Sequence, residues 1–271
     1  MGAWQSAAWM VISVSAYYLL KKRHVEFAKK SCQIALIVAV VAAILQLVSG
    51  HASAKMVAEY QPAKMAALEG HYRTGPAGLY LFGWYVPPTQ EPDSQGRVVG
   101  GLQIPGMLSW LVHGDASRPI SGLQEFGDDI PPVAVVFQTY HLMVGIGMLL
   151  IANSLLGVFY WWRGSLWHKR WFLWWCVWSV LLPQIANQVG WVSAEIGRQP
   201  WIVYGLMRTR DAISPRVSSG HILASITMFG IMYLLLFILF VYLLDHKIKH
   251  GPEEAHTEIH TTRPGDRAGV E

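Results

Sequence analysis

Pro183-Gln184-Ile185-Ala186-Asn187-Gln188-Val189-Gly190-Trp191-Val192-Ser193-Ala194-Glu195-Ile196 closes the apolar run Trp171–Ile196, and Gly197-Arg198-Gln199-Pro200-Trp201 follows it. The run is long and apolar enough to span a bilayer as a helix. Within it Gln184, Gln188, Trp191 and Glu195 recur at steps of four, three and four, which is one helical face. Pro183 is expected to kink the helix just before that stripe. A polar stripe inside a membrane helix must face protein, a cofactor or water. Amides alone would read as a hydrogen-bond seam between helices. The carboxylate of Glu195, with Arg198 one turn further on, makes the stripe a candidate site.

Four more segments have the length and apolarity of a span: Ala3–Leu20, Cys32–Gly50, Val133–Trp162 and Ser219–Leu244. The expected fold is therefore an all-α integral membrane protein of five transmembrane helices. Composition agrees, since 53% of the 271 residues are hydrophobic and 14% charged, and the mean hydropathy is +0.31. Thirteen tryptophans and eleven tyrosines suit two interfacial aromatic belts. A net charge of +4, dispersed along the chain, gives no ground for nucleic acid as a partner. Cys32 and Cys176 lie far apart in or beside apolar runs, without zinc spacing or a Cys-x-x-Cys-His. They read as helix filler, and covalent c-type haem is excluded. The N-terminus lacks a basic region and a cleavage site, so no removable signal peptide is expected.

Basic residues set the orientation. Lys21, Lys22, Arg23, Lys29 and Lys30 crowd the first short loop; Arg163, Lys169 and Arg170 flank the third; Lys247 and Lys249 follow the last helix. All fall on one side, the cytoplasmic one by the positive-inside rule. The N-terminus and residues 51–132 and 198–218 then lie outside, and the tail 247–271 is cytoplasmic and expected to be disordered. In that tail His256 and His260 have the spacing of a helical metal pair, but solvated histidines explain them more simply. Arg198, Arg208, Arg210 and Arg216 oppose the charge rule. Anionic haem propionates are one reason for them, and simple solvation is the other.

Two further groups bear chemistry. Phe137-Gln138-Thr139-Tyr140-His141-Leu142-Met143 opens the third span, with Thr139 and Gly147 four residues either side of Met143. A lone methionine is usually packing, yet small neighbours on its face leave room for a flat porphyrin, and a thioether is a known axial haem ligand. In the long outer loop, Glu59-Tyr60-Gln61-Pro62-Ala63-Lys64-Met65-Ala66-Ala67-Leu68-Glu69-Gly70 reads as a short helix opened by Pro62 and closed by Gly70. By charge pattern alone it is a solvated surface helix. His51, His113, His168 and His221 sit at helix ends or in loops and carry no pattern.

The stretch Gly190, Trp191, Glu195, Gly197, Arg198, Gln199, Pro200, Trp201 closely resembles the signature of subunit I of the cytochrome bd quinol oxidases. The resemblance implies that Glu195 is an axial ligand of an active-site haem, that Arg198 contacts haem carboxylates, and that Trp191 lines the cofactor side of the stripe. It also implies that Met143 ligates the low-spin haem b. An arginine commonly sits two residues earlier in that family, where this chain has His141. That departure shifts the haem potential or makes His141 itself a ligand, though residues i and i+2 face different ways. The loop segment is similar to the family's quinol-binding element, which assigns Lys64 to a quinol oxygen and Glu69 to accepting a proton.

The resemblance runs through nearly the whole chain but covers only the C-terminal portion of a subunit I. It implies a split subunit I: a second polypeptide would supply the remaining helices and their histidine ligands, and a subunit II-like protein would pack alongside. The implied cofactors are a low-spin haem b, a high-spin haem b, and haem d or a second haem b. The implied function is quinol:oxygen oxidoreduction in a bacterial or archaeal cytoplasmic membrane. The alternative is a related haem b subunit that passes electrons between quinone and another redox partner without reducing oxygen.

Overall fold

The computed structural model describes residues 2–88, 96–214 and 216–252; the tail histidines His256 and His260 lie outside them. Among the described residues the elements are α1 (Gly2–Leu20), α2 (Val25–Tyr60), α3 (Pro62–Leu68), β1 (Gly75–Pro76), β2 (Leu79–Val86), β3 (Arg97–Ile104), α4 (Met107–His113), β4 (Pro119–Ile120), α5 (Val133–Trp162), α6 (Arg170–Trp178), α7 (Leu181–Ile196), β5 (Trp201–Val203), β6 (Met207–Arg208) and α8 (Ser219–His250). Residues up to Ser218 form one compact unit, and α8 belongs to a second.

Among the described residues three helices are long and apolar enough to cross a membrane: α2, α5 and α8. This is two fewer than the five expected. Helix α1 has 19 residues but carries Gln5, Ser6, Ser13 and Ser15. The run Trp171–Ile196 is divided into α6 and α7 by a turn at Ser179–Val180. Pro183 explains where the break falls, because its ring lacks an N–H for the Ser179 carbonyl four residues back and crowds it. Helix α2 is longer than the expected Cys32–Gly50, since no proline interrupts it before Pro62.

The first unit packs as membrane helices do, through small residues. Ala28, Cys32, Ala35, Leu36, Ala39, Ala42 and Ala43 form the buried seam of α2, which lies along α1. On its far side Ile34, Ile37, Val41, Ile44 and Val48 are exposed, as a lipid-facing surface would be. Polar links cross the bundle: Gln5 Nε2 donates to the Ala39 carbonyl at 2.9 Å, Ser13 Oγ to Val177 at 2.8 Å, and Trp175 Nε1 to Asn153 Oδ1 at 3.0 Å. Helix α6 packs on α1, and α5 packs along α7 and α2. Helix α8, described by itself, is apolar almost throughout and ends in Lys247, Lys249 and His250.

The segment between α2 and α5 is built rather than loose. Strands β2 and β3 pair antiparallel, and so do β1 and β4. The chain is mostly helical, as expected of an all-α membrane protein, with short two-stranded pairs in this segment and at β5–β6. Leu79–Val86 is rich in aromatic and branched residues, which favour strands. A core of Met65, Ala66, Ala67, Leu68, Tyr85, Leu108 and Leu123 closes onto Val133, Val136 and Phe137 of α5.

Candidate functional site

Helices α5 and α7 run side by side and carry the two candidate ligands. Met143 lies half-buried on α5 and faces Gly190 of α7; a Cβ at Gly190 would stand 2.6 Å from the Met143 sulfur. Gly190 therefore makes the room that the thioether occupies. Gly147, one turn along from Met143, has open space where a side chain would begin. On α7 the buried Pro183 and Ser193 mark the packed side. Gln184 and Gln188 are exposed and Trp191 is 64% exposed, so this chain leaves the predicted stripe uncovered. Glu195 closes the stripe, its side chain 45% exposed, with Arg198 at 3.6 Å as a loose ion-pair partner.

The two loop candidates part company. Helix α3 begins at Pro62 as expected, and Gly70, at a φ of +61°, turns the chain back. Lys64 points to α7, where its Nζ donates to the Ala194 carbonyl at 3.0 Å. Burial and the Arg198 guanidinium push the Lys64 ammonium below its ordinary value, and Glu195 partly opposes them. Glu69 points to α5 instead. It is 1% exposed, and neither carboxyl oxygen makes a hydrogen bond of good geometry. Burial pushes its carboxyl up to about 8, against weaker opposition from the Tyr80 backbone and the Tyr140 hydroxyl.

His141, expected among the cofactor-binding residues, has both ring nitrogens directed at backbone carbonyls. Nδ1 meets Phe137 at 2.9 Å and Nε2 meets Tyr80 at 3.1 Å, while the ring stacks on Phe137 with centroids 4.0 Å apart. With Gln138 Nε2 donating to Gly83 at 3.2 Å, it fastens β2 to the start of α5. Both nitrogens of His141 thus face protein carbonyls of this chain. The arginines that follow α7 also find partners. Arg208 pairs with Asp129 at 2.8 Å and lies 4.8 Å over the Trp201 ring. Arg210 stands 3.6 Å from Asp211. Sequence reasoning missed Asp129, Tyr80 and Tyr140, whose roles depend on contacts between distant segments; only the neighbouring Tyr140 and His141 hinted at one.

The residues present fit a haem. A soft thioether and a carboxylate stand on adjoining helices, Gly147 leaves space one turn from the first, and a guanidinium stands beside the second. The acidity of Glu69 has a consequence for the fold. The native carboxyl keeps its proton to about pH 8, whereas an unfolded glutamate loses it near 4.5. Between these values the native chain binds the extra proton, so stability falls as pH rises from about 4.5 to about 8. Glu69→Gln, which mimics the protonated group, is expected to flatten that slope in thermal melts of the purified protein from pH 5 to 8. An unaltered slope would place the titrating group elsewhere.

Apolar helices long enough to cross a bilayer place the chain in the class of polytopic membrane proteins. The comparisons make the class specific. The chain belongs to the cytochrome bd terminal oxidase subunit I family, which matches residues 1–252. It is 36% identical over 264 residues to cytochrome bd ubiquinol oxidase subunit 1 of Bacillus subtilis (strain 168), covering 93% of this chain and 55% of that protein. It is 28% identical to cytochrome bd-II ubiquinol oxidase subunit 1 of Escherichia coli (strain K12), covering 98% of this chain and 63% of that protein. The structure of the bd oxidase from Geobacillus thermodenitrificans superposes with a TM-score of 0.76 at 30% identity, over 92% of this chain and 56% of that one. The chain thus spans little more than half the length of these relatives.

Proposed function

We propose that this chain is the C-terminal part of subunit I of a bd-type quinol:oxygen oxidoreductase, in a bacterial or archaeal cytoplasmic membrane. What supports the reading above all is that Met143 and Glu195, matched to the family's ligand positions, stand on the adjoining helices α5 and α7. The rest of a subunit I would supply the opposing histidine ligands, beside a subunit II-like protein. The segment 51–132, residues 198–218 and the N-terminus lie outside, and the C-terminus is cytoplasmic, following the basic clusters.

A low-spin haem b, a high-spin haem b, and haem d or a second haem b, when bound, supply one-electron transfer and an iron able to bind oxygen. The chain's own groups have distinct tasks. Met143 would offer a haem iron a soft sulfur ligand and Glu195 a hard oxygen one. Arg198 neutralises acidic groups beside Glu195, and Trp191 lines the same side. Glu69 holds a proton with an acidity near neutrality, which suits passing protons between a quinol hydroxyl and the outer surface.

The test is a reduced-minus-oxidised optical spectrum of the complex purified through this chain, with its co-purifying subunits identified by mass. A low-spin b band, an oxygen-reactive haem band and a co-purifying subunit II-like protein are expected. A b band alone, with no oxygen-reactive haem, would overturn the oxidase reading in favour of electron transfer between quinone and another partner.

A further inference from the structure

We propose that Lys64 is a positioning residue: it caps the C-terminal end of α7 from the outer loop and so sets where Glu195 and Arg198 stand. The inference rests on the reading of Glu195 given above, and it moves Lys64 from the quinol to the helix that carries the carboxylate.

A helix leaves its last carbonyls without intrahelical partners. At the end of α7, the Gly197 N–H reaches the Ser193 carbonyl at 3.0 Å and the Gln199 N–H reaches Ile196 at 3.1 Å. The Ala194 carbonyl, immediately before Glu195, accepts from Lys64 Nζ. An ammonium there also meets the negative end of the helix dipole. The stem of the lysine crosses Gly197 closely: a Cβ at Gly197 would lie 3.2 Å from Cε and 3.4 Å from Cγ of Lys64. A glycine at that point is what lets the lysine lie down along the helix end.

The lysine stands on a firm base. Met65, Ala66, Ala67 and Leu68, which follow it on α3, are buried against α5 and the loop core, and Ile196 packs against the same cluster. The Tyr204 hydroxyl lies against the backbone of Ala63, so the segment after α7 returns to the same helix. Lys64 and Glu69, at opposite ends of this short element, reach α7 and α5 respectively. Helix α3 therefore straps together the two helices that carry Glu195 and Met143.

The test is hydrogen exchange on the purified complex with its co-purifying subunits, read alongside quinol kinetics. Lys64→Met is expected to speed exchange of the amides of residues 194–199 by about tenfold or more, the effect of losing one charged hydrogen bond. Exchange in α1 should stay as it was, with kcat lowered and the quinol KM unchanged. Lys64→Arg, which keeps a cation able to reach the carbonyl, should restore slow exchange. Unchanged exchange at 194–199 in Lys64→Met would overturn the proposal, and a raised quinol KM with that result would put the lysine on the substrate. Full oxygen uptake by Glu195→Ala would instead remove the reading on which this rests, and would leave the exchange result standing.

Discussion

Glu195→Ala is expected to abolish quinol-driven oxygen uptake while leaving the chain folded. The second half of that expectation comes from the structure. The Glu195 side chain is 45% exposed, and the only ion pair it makes among the described residues is with Arg198 at 3.6 Å. An exposed, long pair of that kind contributes about 1 kcal/mol or less. The buried residues of α7, Pro183 and Ser193, lie on its other side, so truncation at Glu195 opens no core. A carboxylate that costs the fold so little, at the end of an apolar helix, is a functional-site candidate by default. An oxygen electrode with reduced quinol reads the loss, and an unshifted thermal melt excludes unfolding as its cause. Uptake near the wild-type rate in a normally melting protein would remove Glu195 from the active site. Glu195→Gln sharpens the test, because it keeps size and hydrogen bonding but gives up the anionic ligand; it is expected to fail as Glu195→Ala does.

The stripe on α7 was legible because a helical period of 3.6 residues converts spacing directly into a face. Gln184, Gln188, Trp191 and Glu195 needed no tertiary information to be grouped, and they do share an open side. The break before them was half legible. Pro183 announced a kink, but whether the helix bends or parts at Ser179–Val180 depends on what packs there. Helix α2 runs past the expected span Cys32–Gly50 for a different reason: residues 51–60 are too polar to count as membrane span, yet nothing in them stops a helix before Pro62.

Glu69 shows where sequence runs out. A glutamate in a polar, glycine-containing stretch reads as solvated, and its burial follows from Gly70 turning the chain so that Phe137 and Tyr85 close over that point. The pairing of Lys64 with Ala194 joins residues 130 apart, and the meeting of Met143 with Gly190 is equally remote. Periodicity places such residues on faces but says nothing about which faces meet.

Met143→Leu is expected to remove the low-spin b band from the reduced-minus-oxidised spectrum of the assembled complex. Leucine and methionine are close in volume, and exchanges of this kind usually cost less than about 1.5 kcal/mol. Gly190 opposite has no side chain to obstruct the branched leucine. Packing between α5 and α7 should survive, and the partner subunits should still co-purify. What the variant lacks is the sulfur lone pair, so loss of the band in an intact complex isolates ligation from packing. Met143→His gives the complementary result. An imidazole at that position still offers a ligand, and because methionine ligation raises the reduction potential, the retained band should titrate at a lower potential than in the parent. An unchanged spectrum and potential in both variants would return Met143 to a packing role and leave the small residues on its face without a cofactor to accommodate.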